Sequence, residues 1–227
     1  MSLPTVEALG RLQRMGKTVL TTGDAALHLN ISRSAATRAL GRLAAAGLVL
    51  PLRHGLWSLD PRIDPLLLPE HLTAPFPSYV SLLSALSLHG MISQVPRVVF
   101  VASLAPTRRL ETHVGVFSVH RLAPTFFGGF ETTPAGVRLA TPEKALLDAL
   151  YLAPARSCLF ASLPEIEIPR DFSERVARRW IAKIPAGPRR IAVERRLAGL
   201  MAGRPRLAAP GRKRLREDAG RHAMIRR

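Results

Sequence analysis

The sequence predicts an α+β fold, with a small helical unit and a β-hairpin first, a mixed α/β domain next, and a basic helical C-terminal extension last. Helix-capping residues and helical apolar spacing recur over residues 5–46. Two short apolar runs of the strand type flank a glycine turn just before residue 60. Five prolines follow within residues 61–77, where we expect a linker without regular structure. Apolar residues form 47% of the 227-residue chain, which is enough to bury a core in each domain.

Three helices are predicted in the first unit. Thr5 is expected to cap the first helix, and Gly16 follows its end. Asp24 is expected to cap a short second helix that ends at the turn residue Asn30, and Ser32 to cap a longer third helix. A short helix, a tight turn and a longer helix form a helix-turn-helix.

The third helix has an apolar side and a small, polar, basic side. The apolar side is formed by Ala36, Ala39, Leu40 and Leu43. The opposite side carries Arg33, Ser34, Thr37, Arg38 and Gly41. Such a helix can enter a major groove, and its N-terminal residues then meet the bases. Arg42 lies to one side and suits a phosphate.

A β-hairpin is predicted directly after this helix. Residues 48–50 and 56–59 are its strands, and Arg53-His54-Gly55 is the turn, where glycine permits a positive φ. A basic hairpin in this place is the wing of a winged helix-turn-helix, which we assign to residues 1–60. The alternative is a three-helix packing unit with an incidental hairpin. The candidate DNA-binding residues are Arg33, Ser34, Thr37, Arg38, Arg42, Arg53 and His54.

The net charge of +17 is concentrated at the two ends of the chain. Residues 1–60 carry seven basic and three acidic side chains, and residues 170–227 carry eighteen and five. The segment between them is neutral, with eight of each. This pattern predicts a polyanionic partner: nucleic acid first, an anionic membrane surface second. No signal sequence or membrane-spanning run is apparent, and Cys158 is the single cysteine, so we expect a cytoplasmic protein.

A mixed α/β domain is assigned to residues 78–202. The pattern predicts, in order, a helix over residues 79–89 capped by Ser78, strands at residues 98–101 and 114–119, and a helix begun by Thr141-Pro142. Further helices are predicted over residues 171–184 and 189–201, the second of them able to dock on this domain. The tail, residues 203–227, is basic and is expected to lack fixed structure, serving either as a phosphate-contacting arm or as a solubilising segment.

Two sequence blocks resemble those of AbiEi-like antitoxins, a family of bacterial type IV toxin–antitoxin systems. The blocks are YVSLLSAL at residues 79–86, HG at 89–90 and QVP at 94–96, followed by ATPEKALLDALY at residues 140–151. The resemblance covers residues 5–155, with Trp57 where the family more often has tyrosine. It implies a regulator that represses its own operon by binding double-stranded operator DNA with inverted repeats. It also implies that the C-terminal domain opposes a neighbouring nucleotidyltransferase-like toxin without a stable complex.

No catalytic, metal or cofactor site is predicted. The seven histidines show no HExxH spacing, and Gly128-Gly129 lacks a phosphate-loop motif around it. Glu143 is interpreted as a helix-start residue and Asp148 as a polar group facing a neighbouring element. Two rival functions stay open: a winged-helix regulator whose second domain senses a small ligand, and an RNA-associated protein that uses the basic tail. Aromatic residues form only 5% of the chain, which disfavours RNA stacking.

Overall fold

The computed structural model describes residues 4–153, 160 and 163–203. Cys158 and the predicted flexible tail beyond Gly203 lie outside the described residues. The first region contains α1 (Thr5–Gln13), β1 (Val19–Thr21), α2 (Thr22–Leu29), α3 (Arg33–Ala45), β2 (Leu50–Arg53) and β3 (Leu56–Ser58). Its strands form a small antiparallel sheet in the order β1-β3-β2. The predicted winged helix-turn-helix fold is therefore present.

Two of the three predicted helix caps are corrected. Thr5 is the first residue of α1, and Pro4 occupies the N-cap position. Thr21 caps α2: its hydroxyl accepts the Asp24 N–H at 3.0 Å, and the Asp24 carboxylate accepts the Thr21 N–H at 2.8 Å. Asp24 is thus the third helical residue of a reciprocal capping box. Ser32 caps α3 as predicted, by accepting the Ala35 N–H at 3.2 Å.

The wing differs slightly from its prediction. Strand β2 begins at Leu50, two residues later than expected, and Arg53 is its last residue. His54 and Gly55 alone form the turn, with Gly55 at φ +72°. The third strand of this sheet, β1, could not be predicted from its three residues alone. It is a strand because it pairs with β3.

The proline-rich segment is folded, so the expectation that residues 61–77 resist regular structure is wrong. A 3-10 turn (Pro65–Leu67) and helix α4 (Pro69–Thr73) lie within it. Proline occupies the first position of both, where its missing N–H costs no helical hydrogen bond. Leu68 and Leu72 are buried against neighbours on both sides of the segment.

The second domain is built on a six-stranded mixed sheet in the order β6-β7-β5-β4-β9-β8. Its strands are β4 (Ser78–Val80), β5 (Val98–Ser103), β6 (Arg108–Thr112), β7 (Gly115–Arg121), β8 (Phe130–Thr132) and β9 (Arg138–Ala140). Strand β5 runs parallel to β7 and β4 parallel to β9, while the other pairs are antiparallel. A 3-10 turn (Pro124–Phe126) precedes β8.

The described residues of the second domain also form four helices: α5 (Leu82–Leu88), α6 (Pro142–Leu152), α7 (Glu174–Ile181) and α8 (Pro188–Ala202). The predicted helix over residues 79–89 is corrected, because Ser78 and Tyr79 belong to strand β4 and the helix starts only at Leu82. Helix α6 begins as predicted, with the Thr141 hydroxyl accepting the Lys144 N–H. It packs against α5, α7 and α8, so the basic helical extension docks on this domain.

One hydrophobic cluster, which we call the shared core, joins the two regions. Its buried members come from the winged helix (Val19, Leu52, Leu56), from residues 61–77 (Ile63, Leu68, Leu72) and from the second domain (Val101, Ala105, Phe117, Val119). The wing therefore rests on the large sheet through buried side chains.

Candidate nucleic-acid interface

Helix α3, the recognition helix, turns its apolar side inward and its polar side outward. Ala36, Leu40 and Leu43 are completely buried in the core of the winged helix. All seven candidate DNA-binding residues are exposed: Arg33, Ser34, Thr37, Arg38 and Arg42 on α3, with Arg53 and His54 on the wing. Their accessibility fits DNA contact, while the contacts themselves stay a prediction.

The exposed side chains of α3 fall into two rows, because residues four apart are neighbours on a helix surface. One row is Arg33, Thr37 and Gly41, and the other is Ser34, Arg38 and Arg42. Members of the first row line a cleft of about 280 Å³ together with the wing residues Arg53 and His54. The fold thus brings four of the seven candidates into one concave surface and leaves the second row beyond it.

Trp57 fixes the wing against the helix-turn-helix. Its indole Nε1–H donates to the Thr22 hydroxyl at 3.0 Å, and the Thr22 N–H donates to the Gly55 carbonyl at 2.9 Å. Both bonds involve Thr22, the first residue of α2, which accepts one and donates the other, so the wing turn is held against the helix-turn-helix. A tyrosine at position 57 carries no indole N–H and could not make the same bond.

The electrostatics of this surface favour a polyanion. No acidic residue occurs between Asp24 and Asp60. Among the described residues, none of the four candidate arginines forms an ion pair with a carboxylate; they are Arg33, Arg38, Arg42 and Arg53. Several arginines elsewhere do form such pairs, for example Arg178 with Glu174. Their guanidinium groups remain available for the phosphates or the guanine edges of DNA.

His113 is a surface residue that sequence reasoning did not connect with this site. It belongs to the turn between β6 and β7 of the second domain, yet it lines the cleft beside Arg33 and Arg53. Its N–H donates to the Leu52 carbonyl in β2 at 3.4 Å. Only the packing of the large sheet against the wing brings it there, so no local signal could have identified it.

A second polar cluster lies inside the second domain. The Asp148 carboxylate accepts hydrogen bonds from the Tyr79 hydroxyl at 3.0 Å and from the Ser81 hydroxyl at 2.6 Å, and it pairs with the Lys144 ammonium. Asp148 therefore faces a neighbouring element, as predicted. Ser81, Lys144 and Asp148 are completely buried, so this cluster offers no surface to a substrate.

Aromatic rings surround the Lys144 ammonium. Its Nζ lies 3.9 Å from the Phe126 ring centroid and 5.1 Å from that of Trp180. Burial lowers the pKa of Lys144 and raises the pKa of Asp148, and each charge opposes the effect of burial on the other. No buried side-chain nitrogen or oxygen lacks a hydrogen-bond partner in the part of the chain that the structure describes.

Comparison with known protein families matches residues 1–54 to the MarR family. No curated protein matches the chain. The matched segment covers α1 to the turn of the wing, so the N-terminal winged helix resembles that of the MarR family. Geometry and match together support a winged-helix DNA-binding transcriptional regulator. None of the described helices is long and apolar enough to cross a membrane.

Proposed function

We propose that this protein is a sequence-directed DNA-binding regulator that represses transcription of its own operon and has no enzymatic activity. The observation that carries the proposal is the concave surface where Arg33 and Thr37 of α3 meet Arg53 and His54 of the wing. The recognition helix enters the major groove, and the wing contacts the adjacent phosphates. In this arrangement Arg33 and Arg38 read bases, while Arg42 contacts the backbone.

Titration of full-length protein against two duplexes tests this function. One duplex comes from immediately upstream of its own reading frame, and the other is a scrambled sequence of the same length. Arg33→Ala and Arg38→Ala should each lower the preference for the upstream duplex by about 1–3 kcal/mol, since each base-reading arginine carries that much discrimination. Arg121→Ala, which removes an exposed arginine from the end of β7, is the matched control. Equal losses on both duplexes would show phosphate contacts instead of base readout.

We further propose that the second domain is an antitoxin that opposes a nucleotidyltransferase-like toxin encoded next to it, without forming a stable complex with it. The support is the AbiEi-like resemblance and the way its two blocks meet in the fold. Tyr79 and Ser81 of the first block donate to Asp148 of the second. A ring nitrogen of His89 lies 2.7 Å from the Ala140 carbonyl oxygen. The two blocks thus build one core, which is a reason for them to occur together.

Separating the two activities tests the antitoxin proposal. The Arg33→Ala/Arg38→Ala double variant should derepress the operon but still protect cells from the neighbouring toxin when both are expressed from foreign promoters. Protein levels must be matched by immunoblotting. Loss of protection by the double variant at wild-type levels would argue against the division of roles.

A ligand-sensing regulator is the second candidate, and one observation favours it. A cleft of about 530 Å³ lies between the winged helix and α4, with Lys17, Asp24, Glu70 and His71 among its lining residues. Its volume is in the range of small-molecule sites. The neighbouring reading frame discriminates the candidates, because a nucleotidyltransferase there supports the antitoxin and a metabolic enzyme supports the sensor.

A further inference from the structure

A turn of the second domain lies beside the wing, on the side that carries the candidate DNA-binding residues. This turn, residues 112–115, joins β6 to β7 and exposes His113. We propose that His113 contacts the DNA backbone, so that the second domain adds a third element to the interface formed by α3 and the wing. The inference rests on the proposed function, in which α3 and the wing bind DNA.

His113 lies on the same surface as the candidate DNA-binding residues. It lines one cleft with Arg33 and Thr37 of α3 and with Arg53 and His54 of the wing. Its N–H donates to the carbonyl of the residue before Arg53 at 3.4 Å. A phosphate backbone that passes from the recognition helix to the wing therefore passes this turn as well.

The turn that carries His113 is held in place by its own hydrogen bonds and by packing. The Thr112 hydroxyl donates to the Gly115 carbonyl at 2.8 Å and accepts the Val114 N–H at 3.2 Å. Leu110 and Val114 pack against the shared core beneath the wing. Because the turn is ordered before binding, a contact made by His113 requires little additional loss of conformational entropy.

The chemistry of the turn suits a phosphate. An imidazole N–H donates a hydrogen bond in both the neutral and the protonated state. Glu111, the acidic residue of the hairpin, lies 3.5 Å from the Arg109 guanidinium, which offsets its charge. Phosphate contacts carry no sequence information, so His113 should contribute equally to binding of every duplex.

Charge substitutions at position 113 test the proposal on the full chain, with a random-sequence duplex as probe at about 0.1 M salt, where the screening length is about 10 Å. His113→Glu should weaken binding about three- to tenfold, because it places a negative charge among phosphates. His113→Arg should strengthen binding and steepen the slope of log K against log salt by about 0.9, the value for one more neutralised phosphate. Arg121→Glu is the control: it lies at the other end of β7, roughly 20 Å away and beyond the screening length.

The same series includes wild type and the Arg33→Ala/Arg38→Ala double variant, which separates two kinds of failure. If the double variant loses its preference for the upstream duplex while both His113 variants bind like wild type, the hairpin is outside the interface and this inference is overturned alone. If wild type binds neither the random nor the upstream duplex, the proposed function fails and the inference fails with it. If His113→Glu unfolds the protein, His113→Arg still tests the proposal, because a variant that binds DNA no more tightly than wild type would contradict it.

Discussion

The winged helix and the second domain place their charges in opposite ways. On the recognition helix every charged side chain is exposed, and the arginines there have no carboxylate partner among the described residues. In the second domain Lys144 and Asp148 are completely buried and paired with each other. The first arrangement leaves charge free for a partner, and the second confines it to the core. Function is therefore expected to respond to substitution in the first region, and stability in the second.

The largest effect is expected from breaking the buried pair. Lys144→Met should lower the free energy of unfolding by about 3–5 kcal/mol, because it leaves Asp148 buried without its counter-charge. Urea denaturation measures this loss, and DNA affinity of the folded protein should not change. Lys183→Met is the control, since that lysine is exposed, its Nζ lies 3.7 Å from the Trp180 ring centroid, and its loss should cost about 1 kcal/mol or less.

A double variant sharpens the same test. Lys144→Met/Asp148→Asn should recover much of the lost stability, because the asparagine is neutral and still accepts hydrogen bonds from Tyr79 and Ser81. If the single and double variants were equally unstable, the loss would come from packing around Lys144 and not from an uncompensated charge.

The shared core predicts that the two regions unfold together. Leu52→Ala should cost about 2–5 kcal/mol, although Leu52 belongs to the wing, because its completely buried side chain packs in that cluster. The two tryptophans, Trp57 in the wing and Trp180 in α7, report on one region each. Single-tryptophan proteins made by Trp57→Phe or Trp180→Phe should give coincident urea unfolding curves when tryptophan fluorescence is followed. Leu52→Ala should shift the midpoint of both curves equally. Separate transitions would show that the regions are independent.

The free energy of unfolding should depend on pH through His120, a buried residue of the second domain. Burial lowers the pKa of His120 to about 4. The unfolded chain then binds more protons than the folded protein between pH 6.5 and 4, so stability falls as the pH falls through that window. The loss should approach roughly 3 kcal/mol at pH 4, at about 1.4 kcal/mol per pH unit. His120→Gln lacks this titration, so the wild-type loss minus the variant loss isolates it; parallel pH profiles would contradict the assignment.

The smallest effect on DNA binding is expected at Gly41, and Gly10, another glycine within a helix, is its control. A Cβ at Gly41 of α3 or at Gly10 of α1 would meet no atom within 4 Å. Alanine at either site should raise stability by up to about 1 kcal/mol through helix propensity. Gly41→Ala should also weaken DNA binding a few-fold, because the Arg33 row faces the duplex, while Gly10→Ala should leave binding unchanged. Identical DNA affinities for the two variants would place Gly41 away from the duplex.

Sequence reasoning found the elements whose ends are fixed by local chemistry. Ser32 and Thr141 cap helices where predicted, and Asn30 adopts the left-handed turn conformation at φ 52°. It failed where neighbours in space decide. Tyr79 and Val80 of strand β4 were predicted as helix because all three residues of this strand are buried, and a run without alternation between buried and exposed positions has no strand periodicity to distinguish it from a helix.

The same distinction applies to the candidate site. The exposed face of α3 follows from a helical repeat alone, so its residues could be named from the sequence. His113 reaches the cleft from another domain, and the Tyr79–Asp148 bond joins residues 69 positions apart. Neither contact is encoded in local spacing. The prediction for the proline-rich residues 61–77 failed for a related reason. Proline breaks a helix when it lies in the interior, but it is favoured at the first position of a helix.

The shared core bears on how such a protein could arise. Domains that recombine freely among proteins close their own cores, and their exchange leaves no apolar surface exposed. The winged helix does not meet this condition, because Leu52 and Leu56 are covered by residues of the other region. If the winged helix were moved to another protein by gene fusion, it would expose an apolar surface at the base of its wing. Its ancestry is therefore expected to follow that of the second domain, with the two inherited as a unit.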